Sequence, residues 1–178
     1  MSSRTLEMKS PIGPLRLTSN GEALTSIEML DHPSSAPNQS AAGDAVLEAG
    51  RRQLRDYFDG QLRAFELPLA PTGTPFQLRV WEQLRAIPFG TTISYGELAM
   101  RIGQPTASRA VGLANGRNPI AIVVPCHRVI GADGSLTGYG GGLDRKRFLL
   151  DLESRGSASA ARPRTRAESS TLALPWSS

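Results

Sequence analysis

The sequence predicts a mixed α/β (α+β) fold in two parts, and three features carry that prediction. Residues 4–30 are strand-like segments broken by turn signals, and a helical period follows at 44–60. From Thr74 onward, capped amphipathic segments read as successive helices. The apolar run "IAIVV" (120–124), a glycine-rich stretch and a last helical segment then complete an alternating pattern.

In chain order, "RTLEMKSPIGPLRLTSNGEALTSIEML" (4–30) gives strands, with turns at Pro11–Gly13 and at Asn20-Gly21, a dipeptide suited to a hairpin. Residues 31–43 are rich in Pro, Ser and Ala and read as a surface loop. "DAVLEAGRRQLRDYFDG" (44–60) places Val46, Leu47, Leu54, Tyr57 and Phe58 on one helical face, with Asp44 as N-cap and Gly60 as C-cap. "LRAFELPL" closes the first part, and "APTGTP" (70–75) is a linker candidate. Helices are then predicted at 74–87, with Thr74 as N-cap and Pro75 in the first turn, at 94–103, and at 105–119 with Thr106 as cap. The last two, joined through Gly103, form a helix-turn-helix pattern, which an ordinary helical hairpin also fits. "IAIVV" reads as a buried strand, and a final helix is expected from about Leu143 to Glu153. The domain limits are set at 1–73 and 74–156, with 157–178 as a mobile Ser/Ala/Arg-rich tail.

With 178 residues and 39% hydrophobic side chains, the chain can bury a core as one domain or two small ones. Its net charge of +4 is not a general nucleic-acid signal. Arg155, Arg162, Arg164 and Arg166 against Glu168 leave the body near neutral, so a local cluster would have to face phosphate. No apolar leader or membrane-length run occurs, and one cysteine excludes an intramolecular disulfide or a multi-thiolate zinc site. The expectation is a soluble cytoplasmic protein with no metal site and no cofactor.

That cysteine, in "IAIVVPCHRVIG" (120–131), is the most informative residue. A lone thiol is ordinarily a small core hydrophobe. Here Pro125 ends the apolar run just before Cys126, and His127 and Arg128 supply two cations that would favour thiolate. Glycines at 131, 134, 138 and 140–142 allow close backbone approach. If 125–128 were extended, Cys126 and His127 would point to opposite faces, so either the chain turns at Pro125 or a water bridges the two groups. An orienting partner for His127 is needed, and Glu153, Asp144 and Asp133 are all available.

Together with "SYGELA", "ASRAVGLANGRNPIAIVVPCHRVIG" and "GSLTGYGGGLDRKRFLLDLE", the Pro-Cys-His-Arg-Val motif resembles the O6-alkylguanine-DNA alkyltransferases over residues 74–153. "SPIGPL" and "LRDYFDG" extend the likeness more weakly over 4–73. The resemblance implies an RNase H-like N-terminal domain followed by a winged helix-turn-helix domain. It also implies direct repair, in which O6-alkylguanine (and O4-alkylthymine) is flipped out of duplex DNA and its alkyl group moves irreversibly to the protein's own cysteine.

On this resemblance Cys126 is the acceptor, His127 its base through a water, and Glu153 the partner of the histidine. Asn118 is the hinge of the cysteine loop and Arg109 the finger replacing the flipped base. Tyr95 helps rotate the nucleotide and bonds the purine. Tyr95, Ala107, Ser108, Arg109 and Gly112 would meet DNA in the minor groove, and Tyr95, Val129, Tyr139 and Gly140 would line the base pocket. The partner is alkylated double-stranded DNA, bound by a monomer whose cooperativity the sequence leaves open. Gly140 replaces a hydroxyl residue found in many members, and Asn115-Gly116 replace bulkier groups, which leaves the accepted adduct size open. A zinc site that some members carry needs N-terminal cysteines, and this region offers only His32.

Each residue also has an ordinary reading. Tyr95 could pack on Trp81, Arg109 and Arg101 could form a solvated face, and Glu153 could pair with Arg147 or Arg155. Asn118 could serve the turn before Pro119, and Arg128 is read as an ion-pair or carbonyl-capping residue. Other functions fit the sequence less well. A non-catalytic damage-recognition module is disfavoured by the presence of Cys126. A major-groove regulator is disfavoured by Ala107, Ala110, Gly112 and Ala114, which offer few base-edge donors. A cysteine hydrolase lacks a base other than His127.

Overall fold

The computed structural model describes residues 2–35 and 41–161. Strands β1 (Arg4–Met8), β2 (Leu15–Ser19) and β3 (Leu24–Met29) form an antiparallel meander in that order. The Asn20-Gly21 hairpin is present: Asn20 Oδ1 accepts from the Glu22 and Ala23 amides, and a register shift at Thr18/Ser19 accommodates the turn. β2 alternates buried and half-buried residues, as a sheet covered on one face should. Helix α1 (Ala45–Phe58) lies on that face, so close that a Cβ on Gly50 would come within 2.9 Å of Leu17. Asp44 caps it as predicted, accepting from the Val46 and Leu47 amides at 3.0 Å.

Helix α2 (Pro75–Arg85) starts in a full capping box, with Thr74 and Gln77 each bonding the other's backbone. The short strand β4 (Ile93–Ser94) leads into α3 (Tyr95–Arg101), a turn, and α4 (Ser108–Gly116). Thr106 is not the cap of α4. The helix starts later, on Ala107, with no side-chain hydrogen bond. β4 pairs in parallel with β5 (Val129–Ile130), which follows a 3-10 turn at Cys126–Arg128.

Two expectations fail here for physical reasons. Residues 120–124, buried except for the half-buried Ala121, are not a strand. The chain doubles back, with the Val124 amide donating to Ile120 O at 3.0 Å and Ile122 in the left-handed region at φ 73°. An apolar run reports burial, not extension. A β-branched residue with that φ is strained by about 1–3 kcal/mol and persists only where packing enforces it; Ile122 is fully buried. The last helix, α5, runs from Leu143 to Ala161, past Glu153 and into the segment assigned to a mobile tail. Ser and Ala beyond 156 tolerate helix and simply extend it. The rest of that tail lies outside the described residues.

One hydrophobic cluster spans both parts, joining Leu15, Leu17 and Leu54 to Trp81, Leu84, Leu98 and Val129. The Ile27 amide donates to Pro119 O at 2.9 Å, so β3 is fastened directly to the segment leading into the cysteine turn. Among the described residues no helix is long and apolar enough to cross a membrane.

Candidate active site

The chain turns at Pro125 (φ −82°, ψ 66°) into the 3-10 turn, so residues 125–128 are not extended. Cys126 is 6% exposed and lines a cavity of about 350 Å³ with Asn118, Tyr139 and Gly140. A second, wider cavity against the outer face of α4 is lined by Tyr95, Arg109 and Gly112. It shares Gly116, Gly138, Tyr139 and Gly140 with the first. The two therefore adjoin, and the thiol opens toward the helix-turn-helix rather than into sealed hydrocarbon.

Behind the thiol lies a buried ionic cluster. His127 Nε2 is 2.7 Å from Glu153 Oε1, so the carboxylate holds the Nε2–H tautomer. His127 Nδ1 is buried with no hydrogen-bond partner. Arg128 donates to Glu153 from Nε at 2.9 Å and Nη2 at 2.8 Å, and from Nη1 to Ile87 O at 2.6 Å. It is both the ion-pair and the carbonyl-capping residue that the sequence suggested. Glu153 accepts further from Tyr57 Oη at 2.8 Å and from the Gly90 amide at 3.3 Å. Neither Asp133 nor Asp144 takes this place: Asp133 accepts from Ser135, and Asp144 faces Arg147.

Electrostatics follow from burial. Desolvation works to raise the Glu153 pKa, but hydrogen bonds from His127 and Arg128, with the Arg128 charge, bring it down to about 2. Burial lowers the His127 pKa despite Glu153, leaving a neutral imidazole with a free lone pair at Nδ1. Burial raises the Cys126 pKa, partly offset by an Asn118 hydrogen bond and the Lys146 charge. The sequence-based idea that His127 and Arg128 would hold a thiolate is thus overturned. The first is neutral and the second is spent on Glu153, so the resting sulfur is a thiol.

Asn118 fixes the loop from inside. Its Nδ2 donates to Val124 O at 2.7 Å and its Oδ1 accepts from the Ile120 amide at 3.0 Å. Those bonds hold the doubled-back segment, a larger task than the turn before Pro119. Asn115 donates to Cys126 O at 3.3 Å. Tyr95 lies against Gly112, and its hydroxyl donates to Thr137 O at 2.9 Å; burial raises its pKa, so it is protonated. Arg109 is exposed on α4, while Ala107 and Ser108 sit half-buried at its start. Val129 lines neither cavity; it is fully buried, in the β4–β5 ladder.

Three participants escaped the sequence reading. Lys146 is fully buried, donating to Val129 O at 2.6 Å and Thr137 O at 3.2 Å, with Nζ 6.0 Å from the Tyr95 ring centre. Tyr57 appeared only as a core residue of α1, yet it reaches Glu153 from the other half of the chain. Arg145 donates to carbonyls in both halves. Nothing in the sequence distinguishes Lys146 and Arg145 from the charged residues beside them.

The chain is similar to known proteins over most of its length. Residues 6–71 match the family model for the ribonuclease-like domain of 6-O-methylguanine DNA methyltransferase, and residues 75–155 match that for its DNA-binding domain. The chain is 55% identical over 156 residues to the methylated-DNA–protein-cysteine methyltransferase of Mycobacterium tuberculosis, covering 84% of this chain and 90% of that one. The protein of the same name from Methanosarcina acetivorans is 52% identical over 147 residues, covering 82% and 94%. The crystal structure of Mycobacterium tuberculosis OGT in complex with DNA superposes with a TM-score of 0.77 at 53% identity, covering 86% of this chain and 93% of that one. With both halves matched in order, a ribonuclease-like domain followed by a DNA-binding domain, this chain belongs to the methylated-DNA–protein-cysteine methyltransferase family.

Proposed function

We propose that Cys126 is the residue that removes the alkyl group from O6-alkylguanine, and from O4-alkylthymine, in duplex DNA. One observation supports this most: Cys126 borders a cavity that adjoins the surface of α4, and the next residue, His127, carries a buried Nδ1 with no hydrogen-bond partner. A base inside the duplex cannot reach such a sulfur, so the nucleotide must swing out, at a cost of a few kcal/mol. Arg109, exposed on α4, fills the gap in the stack, and the small residues Ala107, Ser108 and Gly112 let the helix approach a minor groove closely. Residues 74–156 thus carry the DNA site, and 1–73 support it.

In the reaction, His127 Nδ1 takes the thiol proton through a bridging water, and Glu153 stabilises the imidazolium that forms. Cys126 Sγ then bonds to the alkyl carbon as the bond from that carbon to the guanine oxygen breaks. Tyr95 shifts its hydroxyl hydrogen bond from Thr137 O to the purine and stabilises the charge that develops there. Tyr139 and Gly140 border the flipped base. The product thioether has no route back to a thiol, so each chain acts once. The catalytic cluster is built within a single chain, which supports a monomer. A single cysteine, without disulfides, suits the reducing cytoplasm.

The test is intact-mass and peptide analysis after incubation with duplex DNA carrying O6-methylguanine. One methyl group per chain on the Cys126 peptide is expected, and none in Cys126→Ser. Methylation elsewhere, or several turnovers per chain, would refute the assignment.

A further inference from the structure

The cavity beside Cys126 is not built from the DNA-binding half alone. Ser26, Ile27, Glu28 and Met29, all on β3 of the ribonuclease-like half, line it too. Met29 packs directly on the glycine loop of the pocket: a Cβ on Gly141 would collide with Met29 Sδ. Gly141 follows Tyr139 and Gly140, two of the residues assigned to the base pocket.

The position of this wall is fastened at two points. At one, the Ile27 amide donates to Pro119 O at 2.9 Å, next to Asn118. At the other, Arg145 uses all three guanidinium nitrogens. Nε donates to Ile12 O at 2.9 Å, Nη2 to Leu30 O at 2.7 Å, and Nη1 to Gly141 O at 3.2 Å. One side chain on α5 thereby joins the turn between β1 and β2, the residue just after β3, and the pocket loop. The planar fork makes this possible; a lysine has no comparable geometry. Gly13 answers to the same contact, since with φ at 102° a Cβ there would come within 3.2 Å of Arg145 Nη2.

We propose that β3 of the ribonuclease-like domain, through Met29 held in place by Arg145, sets the upper size of the alkyl group that the Cys126 cavity accepts. The inference rests on Cys126 being the alkyl acceptor. It assigns Met29 as a specificity-determining residue and Arg145 as a positioning residue. Methionine suits the role, because an unbranched thioether fills an irregular gap without a polar atom to satisfy.

The experiment compares single-turnover transfer to the full-length chain from two duplexes of one sequence, carrying O6-benzylguanine or O6-methylguanine. DNA binding and base extrusion largely cancel in the ratio of the two rates. Met29→Ala should raise the benzyl-to-methyl ratio about tenfold and Met29→Phe should lower it by a similar factor, the scale at which an apolar pocket discriminates by one or two carbons. Arg145→Lys should raise the ratio less. Met29→Leu, close in volume, should stay near the wild-type ratio. If Met29→Ala unfolds, as a thermal melt would show, the Phe variant carries the test. An unchanged ratio in folded, active variants at Met29 overturns the proposal but leaves the alkyl-transfer reading standing. A wild-type chain that takes no methyl group at Cys126 overturns both.

Discussion

Replacing Glu153 with Gln perturbs the site at its most connected atom pair, and the structure gives the size of the effect. The carboxylate is 1% exposed, and Arg128, His127, Tyr57 and the Gly90 amide all direct hydrogen-bond donors at it. Its pKa falls from an ordinary 4.5 to about 2 in the folded state. At about 1.4 kcal/mol per pH unit, that depression corresponds to about 3 kcal/mol of stability. Breaking a buried ion pair by removing one partner costs about 3–5 kcal/mol, which agrees. Glu153→Gln should therefore lose about 3 kcal/mol at neutral pH, a fall of about 6–12 °C in Tm for a chain of this size.

The pH dependence has a defined sign. A depressed carboxyl pKa contributes stability that is present above 4.5 and is lost as the pH falls from 4.5 through about 2. His127, also depressed, begins its own loss earlier, as the pH falls through its ordinary 6.5, because the unfolded chain takes up a proton that the fold refuses. Urea unfolding of the wild type should thus weaken below pH 6.5 and more steeply below 4.5. In Glu153→Gln the steeper limb should flatten. Equal stability of the two proteins at pH 7, with the same acid limb, would refute the view that Glu153 is a buried carboxylate anchoring this cluster.

Other perturbations separate the remaining roles. Arg109→Ala should slow repair of duplex substrate far more than alkylation by free O6-benzylguanine, and equal slowing would remove the finger role. Asn118→Ala strands the Ile120 amide and leaves the Val124 carbonyl with the Cys126 amide alone, so it should cost about 1–3 kcal/mol in unfolding experiments and slow transfer from free base and duplex alike. Lys146→Met removes the charge that opposes the raised thiol pKa. The pH–rate profile for alkylation of Cys126 by iodoacetamide should move to higher pH, and an unmoved profile would confine Lys146 to binding the Val129 and Thr137 carbonyls.

What the sequence discloses, and what it hides, divides by the range of the interaction. Local chemistry is readable: Asp44 and Thr74 cap where side-chain oxygens meet free amides, and Asn20-Gly21 turns a hairpin. The motif around Cys126 points to a reactive centre through its resemblance to a known family, where packing and periodicity alone would read the thiol as a small core hydrophobe. Interactions across the chain are hidden. Tyr57 and Glu153 stand 96 positions apart, and Arg145 and Ile12 stand 133 apart. No periodicity distinguishes a tyrosine that only fills the core from one whose hydroxyl ends on a buried carboxylate. Residues 120–124 mislead for a related reason, since Asn118 supplies the bonds that let an apolar run double back rather than extend.

The raised pKa of Cys126 looks adverse for a nucleophile, but it fits a protein that acts once. A permanently ionised sulfur would combine with any soft electrophile that diffused in, and each such event would consume a chain. Burial favours the thiol form of the sulfur and the neutral form of His127, its prospective base, which Glu153 holds, and Arg128 is spent on Glu153. Reactivity then requires removal of the proton and alignment of the alkyl carbon in the same event, which a purine held in place can provide and a small diffusing electrophile cannot. On this reasoning the ratio of reactivity toward O6-methylguanine DNA over iodoacetamide should fall in His127→Gln. Loss of the base removes the proton transfer that the seated substrate exploits, whereas iodoacetamide reacts with whatever thiolate the bulk pH provides. A ratio equal to that of the wild type would show that His127 plays no part in the transfer.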